Sequence, residues 1–320
     1  MFEYITNILI YDWLSLDPTH HWVKSLHFFI YDSIKISFLV VFVISLMGIF
    51  NSYFPIDKVR NFLEDKKLYG LEHLLASLLG AITPFCSCSS IPLFIGFLKG
   101  GIPLGVTLSF LITSPLVNEI ALILFLSIFG VKITVIYAVA GMAVGTIVGF
   151  ILGKLKLEHY LEDWVKEQLK EKIQQSVLQD SRGLKQRLPA IKEDAFDTFK
   201  RIIPYVLGGI AIGAIIHGFI PVDYFERYMA KDNLFAVPIS TLVAIPMYSN
   251  ASGIIPVIQS LVSKGIPIGT AMAFMMAVIG LSLPEAILLR KVMKLKLVVI
   301  YFFSVASSII CLGYIFNILI

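Results

Sequence analysis

Apolar residues along this chain come in long blocks rather than in one-sided stripes. The windows 34–54, 133–153, 202–220 and 297–320 each reach the roughly 20 apolar residues that a helix needs to cross a bilayer. Between the members of each pair lies a second kind of apolar stretch, over about 69–131 and 236–296, interrupted by Pro, Gly and Ser. The clean blocks predict transmembrane helices. The interrupted ones predict helices that break or re-enter at membrane depth, where irregular backbone survives only if protein or water satisfies it. Two segments are polar. The start, "MFEYITNILIYDWLSLD", has no basic region or small-residue cleavage site, and its aromatic and acidic residues suit a headgroup-level segment over 1–32. The other is a charged linker over 154–200, too polar to hold a core of its own. The pattern therefore predicts an all-α polytopic membrane protein with transmembrane repeats over 33–153 and 201–320.

The two halves repeat each other. "NSYFPIDKVRNFLEDKKLYG" (51–70) matches "HGFIPVDYFERYMAKDNLFA" (217–236), and "CSSIPLFIGFLKGGIPLGVTLSFLI" (88–112) matches "ASGIIPVIQSLVSKGIPIGTAMAFMM" (251–276). Pro92 pairs with Pro256, Pro103 with Pro267, Gly105 with Gly269, Phe110 with Phe274, and Glu119 stands opposite Glu285. Charge then orients the halves. Most Lys and Arg fall in the loop carrying Lys58, Arg60, Lys66 and Lys67, in the linker, and in the loop carrying Arg290, Lys291, Lys294 and Lys296. All three are expected on the cytoplasmic side of the cell membrane. The repeat-equivalents of the first and third carry few basic residues, so equivalent loops lie on opposite sides. An inverted repeat with both termini outside follows. An odd number of crossings per half then requires a re-entrant hairpin, or three short crossings, in each interrupted stretch.

Composition narrows the function. The chain is 57% hydrophobic and 15% charged, against about a quarter charged in a soluble domain. No P-loop, dinucleotide fingerprint or nucleophile elbow is present, so neither an enzyme nor a cofactor is expected. The net charge of +4 reflects loop topology rather than nucleic-acid binding. Three cysteines do not make a disulfide framework, and Cys311 reads as packing inside the last span.

The chemistry lies in the breaks. "TPFCSCSSIP" (83–92) reads as helix, break, helix, with Ser89 or Ser90 capping the second helix and Pro92 in its first turn. Cys86 and Cys88 diverge on a helix but converge in a turn, where thiolates favour Cu(I), Zn(II) or a trivalent arsenic centre. With Ser87, Ser89 and Ser90 they form one wall of a candidate substrate site. The matching break, "AIPMYSNASGIIP" (244–256), offers Tyr248, Ser249, Asn250 and Ser252 and no thiol. Asn118 adds a polar group beside Glu119. Glu119 and Glu285, in "TSPLVNE" and "LSLPE", are candidate proton-coupling carboxylates, with a dipole-stabilised helix start as the plain alternative. His217 reads as interfacial, Lys99 and Lys264 as solvated loop tips, and His73 lies near the cytoplasmic mouth.

Both signature blocks, "TPFCSCSSIPLFIGFLKGGIPLG…FLITSPLVNE" and "AIPMYSNASGIIPV…AFMMAVIGLSLPE", resemble the bacterial and archaeal predicted-permease family, which includes the organoarsenical efflux permeases. That resemblance covers nearly the whole chain from about residue 30. It implies a multi-span inner-membrane transporter that moves a small-molecule or metalloid substrate in a lipid bilayer. Export of a soft metalloid with Cys86 and Cys88 as transient ligands is the leading expectation. Uptake of a sulfur oxyanion, and a thiol–disulfide carrier using the same two cysteines, are the alternatives. Assembly as a homo-oligomer stays open.

Overall fold

The structure, a computed structural model, describes residues 6–13, 16, 20–53, 70–83, 87–117, 119–167, 235–247 and 251–319, with scattered residues over 196–214. The described chain is helical, without strands. Its helices are α1 (His21–Tyr53), α2 (Leu71–Ile82), α3 (Ser87–Lys99), α4 (Leu104–Leu116), α5 (Glu119–Lys154), α6 (Ala236–Ala244), α7 (Ala251–Ser263), α8 (Ile268–Gly280), α9 (Leu283–Leu289) and α10 (Leu295–Leu319). Phe125–Lys154, Ile268–Leu289 and Leu295–Leu319 are long and apolar enough to cross a membrane.

α5 is not one rod. Gly130 adopts φ 79° and ψ 175°, backbone that only glycine takes without strain. The ring of Phe125 stacks on that of Tyr137 with centroids 4.7 Å apart. In a straight helix these residues stand about 18 Å apart, so the chain folds back on itself at Gly130. The returning arm, 131–154, is about 36 Å long, enough for a hydrocarbon core of about 30 Å. α2 and α4, at 12 and 13 residues, reach only about 20 Å.

The hairpins α3–α4 and α7–α8 are built alike, bond for bond. Gly101 and Gly265 carry positive φ. Ile102 N–H donates to Phe97 O at 3.1 Å and Ile266 N–H to Leu261 O at 3.2 Å. Gly101 N–H donates to Leu98 O and Gly265 N–H to Val262 O. Each turn is a Schellman closure followed by a proline that starts the next helix.

α4 and α8 form the centre. Every residue of α4 and all of α8 from Gly269 onward is buried. Around them α2, α5 and α10 turn Leu, Ile, Val and Phe outward, for example Leu75, Ile82, Val139, Ile151, Val299 and Phe303. A buried centre with a few hydroxyls among its apolar side chains, inside an apolar exterior, is the arrangement a bilayer requires. α4 packs antiparallel to the long arm of α5: Gly105 faces Gly153, Ser109 faces Gly149 and Thr113 faces Gly145. A Cβ at Gly105 would lie 2.5 Å from Gly153 Cα, so the backbones touch only because both positions are glycine. α8 crosses α10 in the same way, Gly269 against Gly313 and Asn317.

The packing is matched between halves. α2 lies on α4 and α5 as α6 lies on α8 and α10. α3 touches α9 as α7 touches α5, and α4 meets α8 while α5 meets α10. One detail distinguishes the two ends of the molecule. Residues 160–164, just past the end of α5, are stitched to the turn between α9 and α10. Glu162 N–H donates to Val292 O at 2.9 Å, Lys294 N–H to Tyr160 O at 2.7 Å and Trp164 Nε1–H to Lys291 O at 2.9 Å, and Arg290 pairs with Glu162. That turn, 290–294, lies in the repeat opposite the Gly130 fold, yet it sits at the other end of the arm 131–154.

Candidate functional site

The breaks predicted in the two apolar stretches are real, and those described lie together. α2 ends at Ile82 with Thr83 extended, and α3 starts at Ser87. α4 ends at Leu116, with Val117 non-helical, and α5 starts at Glu119. In the second half, α6 ends at Ala244 before Pro246, and α8 ends at Gly280 before the extended Ser282. Leu283 N–H, at the start of α9, donates to Ile245 O at 2.8 Å, joining both second-half breaks. The Leu116 side chain packs on Gly280, where a Cβ would lie 2.8 Å from it, so the ends of α4 and α8 meet between the halves.

Prolines free backbone acceptors at this junction. Pro92 and Pro256 sit six residues into α3 and α7 and have no N–H for the carbonyls of Cys88 and Ser252. These two carbonyls stand in matching places of the two halves. The Leu116 carbonyl, left over at the end of α4, instead accepts from Tyr137 Oη at 2.6 Å. Tyr301, which matches Tyr137, is likewise buried and lies near Glu285.

The candidate residues fall as follows. Cys86, Asn118, Tyr248, Ser249 and Asn250 lie outside the described residues. Ser87, Cys88 and Ser89 form the first turn of α3, Glu119 opens α5 and Ser252 is in the first turn of α7; of their side chains nothing further is described. Ser90 is inside α3 rather than at its cap: the helix starts three residues earlier, and Ser90 Oγ meets Ser114 Oγ at 3.0 Å. Glu285 is in the first turn of α9 and is 1% exposed. A carboxylate that deeply placed is costly unless its environment supports it. Cys311 is on the outer face of α10, exposed to the surroundings rather than turned to the core.

Ser114, Thr113, Ser109 and Ser77 are buried polar residues that the sequence reading passed over. The signal available for them was the glycine at every fourth position from Gly141 to Gly153, which marks a close helix crossing and hence the helix that must face it.

A family described as predicted permease matches residues 21–318. The chain belongs to this family. Among curated relatives, the UPF0718 protein MJ0584 of Methanocaldococcus jannaschii is 31% identical over 127 residues, which is 39% of this chain and 34% of that protein. The UPF0718 protein YcgR of Bacillus subtilis is 32% identical over 74 residues, 23% of this chain and 25% of that protein. The matched segments thus span about a third of the archaeal relative's length and a quarter of the bacillar one's. No solved structure matches the chain. The family match and the apolar helices of spanning length agree on a membrane protein of the predicted-permease family.

Proposed function

We propose that this permease exports a small, soft solute, with trivalent organoarsenicals as the substrate class, through a central site made where the helix breaks meet. One observation carries the reading: Leu283 N–H on Ile245 O and Leu116 on Gly280 bring the ends of α4, α6 and α8 together, and Ser90 of α3, the helix that carries Cys88, meets Ser114 near the end of α4 at 3.0 Å. Discontinuous helices in matching positions of two repeats are the hallmark of a transporter's binding site. Cys86 and Cys88 supply the soft wall. A thiol displaces a hydroxyl from As(III) as water, forming an S–As bond, and hydrolysis on the far side returns thiol and arsenical. Tyr248, Ser249, Asn250 and Ser252, with Asn118, supply the hydrogen-bonding wall. Glu119 and Glu285 exchange protons during the cycle.

The same reading takes 33–153 and 201–320 as inverted repeats in the cell membrane, with the linker 154–200 cytoplasmic and both termini outside. Its support is that the Gly130 fold and its repeat-equivalent turn, 290–294, sit at opposite ends of the arm 131–154. α2 and α3, both short, then make the re-entrant hairpin, and α4 with the first arm of α5 makes a broken crossing.

Uptake of methylarsenite by everted membrane vesicles tests the site. Cys86→Ser with Cys88→Ser lowers uptake at least about tenfold at unchanged membrane abundance. Wild-type uptake by the double variant refutes the thiol role. Reversible trapping of a Cys86–Cys88 disulfide in cells would instead favour a redox carrier.

A further inference from the structure

His73 is a buried titratable group that the site above does not use. It lies in the first turn of α2 and is 7% exposed, its ring edge-on to Phe150 at 5.4 Å. Neither ring nitrogen has a hydrogen-bond partner among the described residues. Glu72 Oε1 lies 3.5 Å from Nδ1, and Glu72 Oε2 is buried and unbonded among the described residues. On the other side, Nε2 faces Gly153, whose Cβ, if present, would lie 3.4 Å away. Among the described residues, the charged and titratable groups around the ring are Glu72 on α2 itself and, on α5, Lys154, whose ammonium lies 4.3 Å over the Phe150 ring. α4 has no titratable side chain.

Above His73 on the same face, a file of hydroxyls runs between α2, α4 and α5 toward the first break. Ser77 is one turn on, and its Oγ accepts from Thr146 Oγ1 at 3.0 Å. Ser77 and Thr113 both overhang Gly145: a Cβ there would lie 3.1 Å from Ser77 Oγ and 1.9 Å from Thr113 Oγ1. Next to Thr113, Ser114 meets Ser90 at 3.0 Å, within the helix that carries Cys88.

The second half shows that packing alone does not ask for these groups. In the register set by Gly105 with Gly269 and Gly101 with Gly265, Ser90 corresponds to Ile254, Thr113 to Ala277 and Ser114 to Val278, and Val237 of α6 faces Gly313 of α10 as His73 of α2 faces Gly153 of α5. All four counterparts are buried, in the same helix crossings. Only Ser77 has a hydroxyl counterpart, Thr241, which bonds back to Val237 O in its own helix, as Thr113 does to Ser109 O and Thr146 to Met142 O. A polar file built in one half, where the other half uses Val, Ile and Ala, points to a use other than packing.

We propose that His73, with Glu72 as its carboxylate, is a proton-binding site at the Lys154 end of the first half, with Ser77, Thr113, Ser114 and Ser90 lying between it and α3, the helix that carries Cys88. The proposal rests on the permease reading for its purpose: imidazolium formation at one end of the file is linked to thiol and thiolate states at the other. Imidazole suits that task because its ordinary titration falls between about pH 5 and 8.

The test uses the full chain in lipid nanodiscs with 15N-labelled histidine. The ring resonances are followed from about pH 5 to 8, and His73 is assigned by its loss in His73→Gln. Should that variant not fold, His73→Val serves, since Val237 fills the matching place. The expected result is a two-state titration of His73 whose midpoint moves in Glu72→Gln. A second measurement uses proteoliposomes with pyranine inside and a methylarsenite gradient as probe. His73→Gln is expected to lose the accompanying lumen pH change by about a hundredfold while methylarsenite still moves down its gradient. A His73 that keeps one protonation state throughout, or a variant with wild-type pH change, overturns the proposal. If methylarsenite does not move even in wild type, the export reading fails by itself, and the titration alone upholds or overturns the His73 site.

Discussion

The crossing of α4 and α5 gives the sharpest quantitative test. A Cβ at Gly145 meets Thr113 Oγ1 at 1.9 Å, whereas its backbone neighbour, Ser109 O, lies at 3.0 Å. The main obstacle is therefore one hydroxyl, with Ser109 O and Ser77 Oγ, at 3.1 Å, left to give by a few tenths of an ångström. A Cβ at Gly105 meets backbone instead, Gly153 Cα at 2.5 Å and Gly149 O at 2.8 Å. Optimal carbon contacts need about 3.5 Å, so Gly105→Ala pushes the helices apart by about 1 Å. Overpacking of this kind costs about 1–3 kcal/mol, offset by up to about 1 kcal/mol from the better helix propensity of alanine. Gly145→Ala alone is expected to lose about 1–2 kcal/mol on the same count. Adding Thr113→Ala removes the clashing oxygen and is expected to recover most of that, a coupling of about 1 kcal/mol or more. The second half already carries that exchange, with Ala277 in the place of Thr113 and Ile309 in the place of Gly145. Gly105→Ala, blocked by backbone, is not rescued by Thr113→Ala. Stability is read by unfolding of the purified permease in detergent, as a double-mutant cycle. Strict additivity of Gly145→Ala and Thr113→Ala refutes the geometry of the crossing and the repeat register drawn from it.

Further outcomes are expected elsewhere. Gly130→Ala meets no neighbouring atom but is held at φ 79°, so it loses about 1–2 kcal/mol through backbone strain alone, measured in the same unfolding assay. Tyr137→Phe removes the donor to the Leu116 carbonyl and leaves a buried acceptor unmatched, a loss of about 1–3 kcal/mol with no change in helix content by circular dichroism. Hydrogen bonds from Lys294 and then Lys166 hold the Asp163 carboxyl below its usual range. Because the folded value is the lower one, this contribution is full above about pH 4 and fades as pH falls further. The change is small because Asp163 is exposed, and Trp164 fluorescence in a variant with Trp13 and Trp22 replaced by Phe reports it; a flat signal to acid pH contradicts the ion-pair account. A reporter fused after Ile320 is expected outside the cell, and a cytoplasmic signal would rule out inverted repeats.

The sequence by itself determined the class of protein, the existence of two related halves and the places where their helices break. These are local or additive properties. Hydropathy over 20 residues decides whether a segment can be buried in lipid, and Pro84, Pro246 and the Gly100, Gly101 and Gly265 turns interrupt a helix whatever surrounds them. The sequence also marked Ser90, but as a cap, because capping depends on where a helix starts, and α3 already includes Ser87. Only the folded chain decided that the stretch 119–154 doubles back at Gly130, since one glycine in an apolar run is equally at home in a straight membrane helix. It alone brought Leu283 to Ile245 and Leu116 to Gly280, pairs far apart in the chain whose meeting depends on how the hairpins pack. It alone put His73 beside Gly153 and aligned Ser77 with Thr113 and Thr146. Isolated Ser, Thr and His in a membrane helix carry no periodic signal, and what makes them a file is that two glycine-bearing helices approach closely enough for hydroxyls on three helices to face one another.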